Sequence, residues 1–309
     1  MKAGLTGGDT ARFTEVAVSR YRPSGPPENC SRASVITEFP LTIRVNDDSF
    51  TVMRTPGDDR ELVAGFLFTE GLIESLDDIN MLSQCEDSPH VITVKTARQS
   101  GRTPRNMIIT SSCGLCGHEN IQALLESLIR LDCPMKMPLD VLFRIPERVR
   151  AAQILFSRTG GAHAAALFDT AGNLQAVRED VGRHNALDKL LGYALLAGVA
   201  TGERGIFLSG RVSLELIIKV VRARVPLVAA VSAPTSAAVQ AADRLGITLC
   251  GFVRGNEVSV YANGGRIVST SGGSPARNAT HSVAGGLAGL GQAAIGGKEH
   301  YCSGAVEKL

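Results

Sequence analysis

Two cysteines separated by two residues carry the clearest chemical signal in this chain. Cys113 and Cys116 lie in the segment SSCGLCG at residues 111–117, after an apolar run at 107–110 and before a stretch of helical spacing at 121–128. A thiol at the start of a helix meets the positive end of the peptide dipoles, so its pKa falls and the thiolate forms more readily. The flanking glycines let a bulky partner approach. The pattern predicts an accessible thiolate that can take a sulfane sulfur as a persulfide, with Cys116 assisting.

Other uses of a Cys-x-x-Cys pair are excluded by spacing, weakly supported or still open. A c-type haem site is excluded because Gly117 separates Cys116 from His118. A structural zinc site built from Cys113, Cys116, His118 and Cys133 has no second close cysteine pair to support it. The zinc-deaminase signature is incomplete because the chain contains no His-x-Glu. Thiol–disulfide exchange stays open, since a strand, CGLC and a helix also build a thioredoxin-like site, and so does a purely structural loop.

Composition narrows the class of protein. The chain has 309 residues, of which 44% are hydrophobic and 20% charged, and it is long enough for one large domain or two ordinary ones. Scattered charges that sum to +2, 5% aromatic residues and no Trp argue against a nucleic-acid partner. The uncharged stretches at 225–242 and 278–297 are interrupted by Pro, Ser, Asn or Gly, so no membrane span is predicted. Without a secretory start, and with an odd number of scattered cysteines, the protein is expected to be cytoplasmic and not disulfide-stapled.

The elements that must position the cysteines fall into four parts. We expect a mobile leader at 1–33, an α+β part with the Cys-x-x-Cys loop at 34–145, an α/β cofactor-binding domain at 146–268, and a Gly/Ala-rich flexible tail at 269–309. In the first half, alternation predicts a hairpin at 41–45 and 50–54, and Leu62, Phe66 and Ile73 indicate a helix opened by acidic residues.

The second half predicts short apolar strands that alternate with helices. Residues 148–156 and 186–194 are expected to be helical, with a hairpin at 164–168 and 174–178 between them. Strands at 206–208, 227–231 and 248–253 then alternate with helices at 214–221 and 236–245. This order predicts α/β with an α+β N-terminal part, whose C-terminal half is a three-layer mixed, mostly parallel sheet. The order of elements is similar to the cytidine-deaminase-like fold.

Several polar motifs accompany these elements. His163 could face a ligand or be a buried, hydrogen-bonded histidine. The cluster Asp180, Arg183, His184, Asp188 and Lys189 is interpreted as a solvated helix cap with ion pairs on the helix face. The segments 209–211 and 232–236 lie where strands lead into helices, and they are interpreted as anion sites. Ordinary helix capping explains their Ser and Thr residues equally well, but it does not explain Arg211.

Six motifs in sequence order resemble one family. They are SSCGLCG at 111–117, TGGAHAAAL at 159–167, EDVGRHNALDKLLG at 179–192, SGRVSLELIIK at 209–219, VSAPTSAAV at 231–239 and LCGFVRGNEVSVY at 249–261. Together they resemble the formate dehydrogenase accessory sulfurtransferases of the FdhD type over residues 36–268. The resemblance implies a sulfur carrier that takes sulfur from a cysteine desulfurase and transfers it to the molybdenum of the bis-guanine-dinucleotide cofactor. Formate dehydrogenase requires that sulfur to be active.

The resemblance also implies site residues and partners. Cys113 matches the persulfide-forming cysteine and Cys116 the second cysteine of the motif. The cofactor-binding stretch corresponds to Phe252, Val253, Arg254, Gly255, Asn256 and Glu257. The expected partners are a cysteine desulfurase, a formate dehydrogenase and the guanine nucleotide moiety of the cofactor. A homodimer is left open. No structural metal is expected. The alternatives are a non-catalytic molybdenum-cofactor chaperone and a Cys-x-x-Cys thiol oxidoreductase.

Overall fold

The computed structural model describes residues 12–23, 28–85, 88–97, 107–109 and 118–269, which form two larger and two small β-sheets with helices packed on them. The strands are β1 (Phe13–Arg20), β2 (Glu28–Ile36), β3 (Phe39–Val45), β4 (Asp48–Arg54), β5 (Ile79–Cys85), β6 (Ser88–Thr96), β7 (Met107–Ile109), β8 (Met137–Pro138), β9 (His163–Phe168), β10 (Leu174–Asp180), β11 (Gly205–Leu208), β12 (Leu227–Ala230), β13 (Thr248–Arg254), β14 (Glu257–Ala262) and β15 (Ile267–Val268). The helices are α1 (Asp59–Thr69), α2 (His118–Ser127), α3 (Leu139–Ala152), α4 (Ile154–Thr159), α5 (Arg183–Leu196), α6 (Leu214–Arg222) and α7 (Ser236–Leu245).

The N-terminal sheet has five strands in the order β5-β6-β3-β4-β7. The predicted hairpin is confirmed as β3 and β4, which pair antiparallel from Phe39 opposite Arg54 to Val45 opposite Asp48. The apolar side of this sheet packs on α1, and the side chains they share are buried. The predicted helix is confirmed too, although it ends at Thr69, before Ile73.

The C-terminal sheet has six strands in the order β10-β9-β11-β12-β13-β14. Both faces are covered. On β9, Ala164, Ala166 and Phe168 share a core with α3, while the alternate residues Ala165 and Leu167 are fully buried on the side of α5. A strand buried on both faces is apolar along its whole length, which explains the run of apolar residues after His163.

The prediction of a mostly parallel sheet is wrong. Only β11–β12 and β12–β13 pair parallel, whereas β9 pairs antiparallel with both β10 and β11, and β13 pairs antiparallel with β14. The antiparallel pairs β9–β10 and β13–β14 arise because short turns, rather than crossover helices, connect those strands. The mixed three-layer arrangement is as expected, and the cytidine-deaminase-like resemblance stays a prediction.

The boundaries of the four predicted parts do not all coincide with the ends of the observed strands and helices. Residues 13–36 were expected largely as a mobile leader, but β1 and β2 form an antiparallel ribbon there, and the proline-rich stretch lies between its strands. The expected boundary between residues 145 and 146 falls inside α3, which continues through Pro146. The predicted tail lies outside the described residues from residue 270 onward.

Candidate functional site

The Cys-x-x-Cys loop lies outside the described residues, but the elements on either side of it are described. Strand β7 ends at Ile109 and pairs parallel with β4, where Ile109 lies opposite Val52. Helix α2 begins at His118. Strand β7, the last described element before the motif, therefore ends beside β4.

The end of β4 is joined to the start of α5 by hydrogen bonds. The backbone N–H of Thr55 donates to the Asp180 carboxylate at 3.0 Å, and the Val181 N–H donates to Thr55 Oγ1 at 3.1 Å. Lys189 Nζ donates to the Thr55 carbonyl at 2.8 Å, and Asn185 Nδ2 donates to the Met53 carbonyl at 2.7 Å. These bonds hold the end of β4 against β10 and α5.

The cluster at the start of α5 is buried, which corrects its interpretation as a solvated cap. Asp180 and Lys189 are both fully buried and form an ion pair of 2.8 Å. The second Asp180 oxygen accepts from the Gly182 N–H and from Asn185 Nδ2. The charges are enclosed because the end of β4 and helix α1 lie over this part of α5, which the sequence pattern of α5 alone did not indicate.

A cleft of about 930 Å³ opens at the edge where the parallel strands of the C-terminal sheet end. His163 at the start of β9, Ser209 after β11, Val231 after β12 and Arg254 at the end of β13 all line it. This edge is where ligands of open α/β sheets bind. The other side of the cleft is formed by residues from α3, α4 and the glycines that follow α4, namely Pro146, Glu147, Arg150, Ala151, Gln153, Phe156, Ser157, Gly160 and Gly161.

The structure places His163 at the cleft as a half-buried side chain. Burial and the nearby Arg183 guanidinium lower the pKa of His163, so its imidazole is neutral at neutral pH. The ring lies directly against Gly210, where an added Cβ would come 3.2 Å from both Cε1 and Nδ1. Gly210 thus leaves room for the imidazole. The sequence left two roles open for His163, a ligand-facing side chain or a buried, hydrogen-bonded one, and the structure favours the ligand-facing role.

The expected anion-binding segments contribute unequally. Ser209 lines the cleft, and its Oγ accepts the Ala164 N–H at 2.8 Å. In the segment 232–236, Thr235 caps α7 by accepting the Ala238 N–H at 3.2 Å, which is an ordinary structural role. Arg211 is exposed and does not line the cleft.

The predicted cofactor-binding stretch forms a wall between two clefts. Arg254 is exposed and lines both the first cleft and a second one of about 620 Å³. Gly255 lines the first, whereas Phe252, Asn256 and Glu257 line the second. Val253 is fully buried in the core shared with α3, so its side chain does not reach either cleft, which corrects its place among the contact residues.

The backbone of this stretch is irregular. The pairing of β13 with β14 shifts register between Gly251 and Arg254, and Phe252 has a φ of 52°. A left-handed conformation is unfavourable for a bulky residue and is found where the surroundings enforce it, often at binding sites. Here the Phe252 N–H donates to the Ser232 carbonyl at 3.4 Å, and the Arg254 guanidinium lies 5.5 Å from the Phe252 ring centre. The bulge points Arg254 towards solvent.

Sequence reasoning missed the residues contributed by the junction of α3 and α4. Gln153 lies between the two helices and is only 5% exposed. The buried Glu179 carboxylate accepts the N–H groups of Leu155 and Phe156, both at 2.8 Å, and so fixes the first turn of α4. A signal was present in the sequence, since Gln153 is a lone polar residue just before the apolar Ile-Leu-Phe.

Within the described part of the chain, no group of three or more His, Cys, Asp or Glu side chains is arranged to hold a metal ion. In the same residues, no helix is both long and apolar enough to cross a membrane.

Comparison with known proteins places the chain in a family. The model of the FdhD/NarQ family matches residues 36–268, which include the Cys-x-x-Cys motif, the start of α5 and the Arg254 stretch. The chain belongs to the FdhD/NarQ family. A sulfur carrier protein FdhD from Sulfurisphaera tokodaii is 43% identical to this chain over 239 residues. The match covers 76% of this chain and 91% of the relative. One of the same name from Streptomyces avermitilis is 44% identical over 250 residues, covering 76% and 89%.

A solved structure agrees with this membership in the FdhD/NarQ family. A crystal structure described as a formate dehydrogenase accessory protein, from Desulfotalea psychrophila, matches with a TM-score of 0.69 and 26% sequence identity. The match covers 84% of this chain and all of the other.

Proposed function

We propose that this FdhD/NarQ family member is a sulfur carrier that serves formate dehydrogenase. It takes sulfur from a cysteine desulfurase as a persulfide on Cys113 and transfers it to the molybdenum bis-guanine-dinucleotide cofactor, its bound substrate. Relatives that are more than 40% identical are named sulfur carrier protein FdhD, and a structural relative is described as a formate dehydrogenase accessory protein. The position of Cys113 and Cys116 just before α2 supports the thiol chemistry.

The loading step needs only a thiolate and a donor persulfide. The Cys113 thiolate attacks the terminal sulfur of the donor's cysteine persulfide, a new S–S bond forms on Cys113, and the donor's S–S bond breaks. The donor cysteine leaves as a thiolate, so atoms and electrons balance. A low pKa at the helix start favours the attacking form. For delivery, the Cys116 thiolate attacks the inner sulfur of the Cys113 persulfide, a Cys113–Cys116 disulfide forms, and the outer sulfur leaves as sulfide, so the two cysteines supply both electrons.

The position of Arg254 between the two clefts is the observation that carries the substrate assignment. An exposed guanidinium at the end of β13 can donate two parallel hydrogen bonds to phosphate oxygens and stays charged at any cellular pH. Both clefts have volumes in the range of small-molecule sites. We assign the contacts with the nucleotide end of the cofactor to Arg254 and its neighbours Phe252, Gly255, Asn256 and Glu257.

Calorimetric titration of the full chain with GDP tests this assignment. Arg254→Ala should bind GDP about 10- to 100-fold more weakly, because a charge-assisted phosphate contact is lost, and should fail to activate formate dehydrogenase while still accepting sulfur on Cys113. Arg244→Ala is the matched control, since Arg244 is exposed on α7 and lines neither cleft. Unchanged GDP affinity in Arg254→Ala would move the nucleotide site away from β13, to the segments 209–211 or 232–236.

A further inference from the structure

Among the less exposed side chains that line the first cleft, two polar groups make no hydrogen bond to the described residues. One is the Gln153 amide, in a residue that is only 5% exposed, and the other is the imidazole of the half-buried His163. Neither group is closed off from solvent, so both are open to the cleft. A ligand in the cleft can therefore supply the missing hydrogen-bond partners.

The backbone around Gln153 is fixed before any ligand binds. Its N–H donates to the Arg150 carbonyl at 3.3 Å, and its carbonyl accepts the Ser157 N–H at 3.2 Å. The following turn is held by the buried Glu179 carboxylate through the N–H groups of Leu155 and Phe156. The Gln153 amide is therefore held at the cleft by two helices and by the end of β10.

Charge and polarity are unevenly distributed in this cleft. The less exposed lining groups are uncharged: Gln153, the neutral His163 and Ser209, with the apolar side chains of Phe207 and Val231 beside them. The arginines that line the cleft, Arg150 and Arg254, are exposed. Uncharged hydrogen-bonding groups and apolar walls suit a heteroaromatic base, and exposed guanidinium groups suit phosphates.

We propose that Gln153 recognises the hydrogen-bonding edge of a purine base whose phosphates reach Arg254, and that it determines the base specificity of this cleft. The inference rests on the proposed function, because that function supplies the guanine nucleotide. An amide presents one acceptor and two donors. Oε1 of Gln153 accepts the N1–H of guanine while Nε2 donates to O6. The base lies in the first cleft, on the α3–α4 side of Arg254.

Calorimetry with GDP and with inorganic pyrophosphate separates recognition of the base from recognition of the phosphates. Gln153→Met keeps the length of the side chain and removes its hydrogen bonds, so GDP should bind about tenfold more weakly while pyrophosphate affinity is unchanged. Arg254→Ala should weaken both ligands. Gln175→Met is the control, because Gln175 is exposed on β10 and lines neither cleft.

A change in the ligand gives the same test without a variant. 2-Aminopurine riboside diphosphate keeps the 2-amino group of guanine but lacks both O6 and the N1–H, so the unmodified chain should bind it about tenfold more weakly than GDP. In Gln153→Met the two nucleotides should bind equally. Equal binding of both nucleotides by the unmodified chain would overturn the role of Gln153, and so would unchanged GDP affinity in a folded Gln153→Met. GDP affinity that falls in Gln153→Met but not in Arg254→Ala would instead overturn the assignment of Arg254 and leave Gln153 in place.

Discussion

Gly65 on α1 and Gly192 on α5 are in direct contact where the two helices cross. A Cβ added to Gly65 would lie 2.9 Å from the Gly192 nitrogen, and one added to Gly192 would lie 2.7 Å from the Gly65 nitrogen. No real Cβ comes that close to a backbone atom, so only glycine at both positions allows this crossing. Helix α1 shares the core of the N-terminal sheet and α5 packs on the C-terminal sheet, so this crossing joins the two sheets.

Replacing either glycine should therefore destabilise the fold. In Gly65→Ala or Gly192→Ala the helices must move apart, because the atoms that meet the methyl group belong to the backbone. We expect a loss of about 3 kcal/mol in the free energy of unfolding, measured by urea denaturation. Gly202→Ala is the control, since an added Cβ there meets no atom within 4 Å. A Gly65→Ala variant as stable as Gly202→Ala would show that the helices adjust without cost.

A buried charged group links the same helices to α6. Lys219 Nζ lies 3.0 Å from Asp188 Oδ2 and 2.8 Å from Glu70 Oε1, and it donates to Thr69 Oγ1 at 2.9 Å. Burial disfavours the ammonium group, but Asp188 and Glu70 outweigh it and raise the pKa of Lys219. Lys219 is therefore charged at every physiological pH.

Removing both partners of this pair should cost less than the sum of the two single losses. Lys219→Met leaves the Asp188 carboxylate buried and without its cation, so we expect a loss of about 3–5 kcal/mol in unfolding free energy. The double variant Lys219→Met, Asp188→Leu should lose clearly less than the sum of the two single variants. Urea denaturation of all four proteins in the cycle provides the measurement, and strictly additive losses would contradict the coupling.

The contact between Glu215 and His184 predicts a stability change in acid. The two side chains are 3.1 Å apart. Burial opposes ionisation of Glu215, but the hydrogen bond and charge of His184 outweigh it and hold the pKa of Glu215 below its ordinary 4.5. The stabilisation is therefore present above pH 4.5 and is lost as the pH falls through the lowered pKa.

Glu215→Gln should be less stable than the unmodified chain at neutral pH, and this difference should shrink below pH 4.5. Thermal unfolding over a pH series measures it. Glu203→Gln, at an exposed position, should show no such trend. A stability difference that stays constant into strong acid would mean that Glu215 does not act through its charge.

Alkylation should distinguish the cysteines sharply. Burial raises the pKa of the Cys250 thiol to about 12, and its side chain is fully buried, so it should react only after the chain unfolds. Cys113, which precedes α2 in the sequence, is predicted to react quickly even below pH 8.5, the approximate pKa of a free cysteine. Peptide mapping after brief treatment with iodoacetamide checks both. Rapid labelling of Cys250 in the folded chain, or a rate midpoint for Cys113 at or above that of free cysteine, would contradict this account.

Periodicity predicted most of the regular elements. Helix α7 begins and ends at the predicted residues, and β9, β10 and β13 differ from the predicted bounds by at most two residues. Their apolar residues recur with a clear period and are bounded by turn residues. The ribbon of β1 and β2 was missed because its alternation is weak and proline-rich sequence lies between its strands. The edge strand β14 was missed because only one of its six residues is buried.

The candidate site was harder to predict because it depends on contacts between distant segments. Thr55 and Asp180 are 125 residues apart, and Lys219 and Thr69 are 150 apart. No local pattern reveals that such residues meet, so charges enclosed by two segments were interpreted as solvated. Arg254 was predicted from the family resemblance, and its place at the end of an apolar strand is where ligands of such sheets bind. Gln153 was missed because a lone polar residue before an apolar run is a weak signal, and its place beside the cleft depends on how α3 and α4 pack.

In the proposed function Cys113 carries the sulfur, and peptide mapping after incubation with a cysteine desulfurase and cysteine tests this role most directly. The predicted result is a reducible one-sulfur adduct on Cys113, absent from a folded Cys113→Ala variant that also fails to activate formate dehydrogenase. Sulfur found instead on Cys85, Cys133 or Cys250 would contradict the assignment. Bound metal without any sulfur adduct would indicate a cofactor chaperone, and the absence of both would indicate thiol–disulfide exchange.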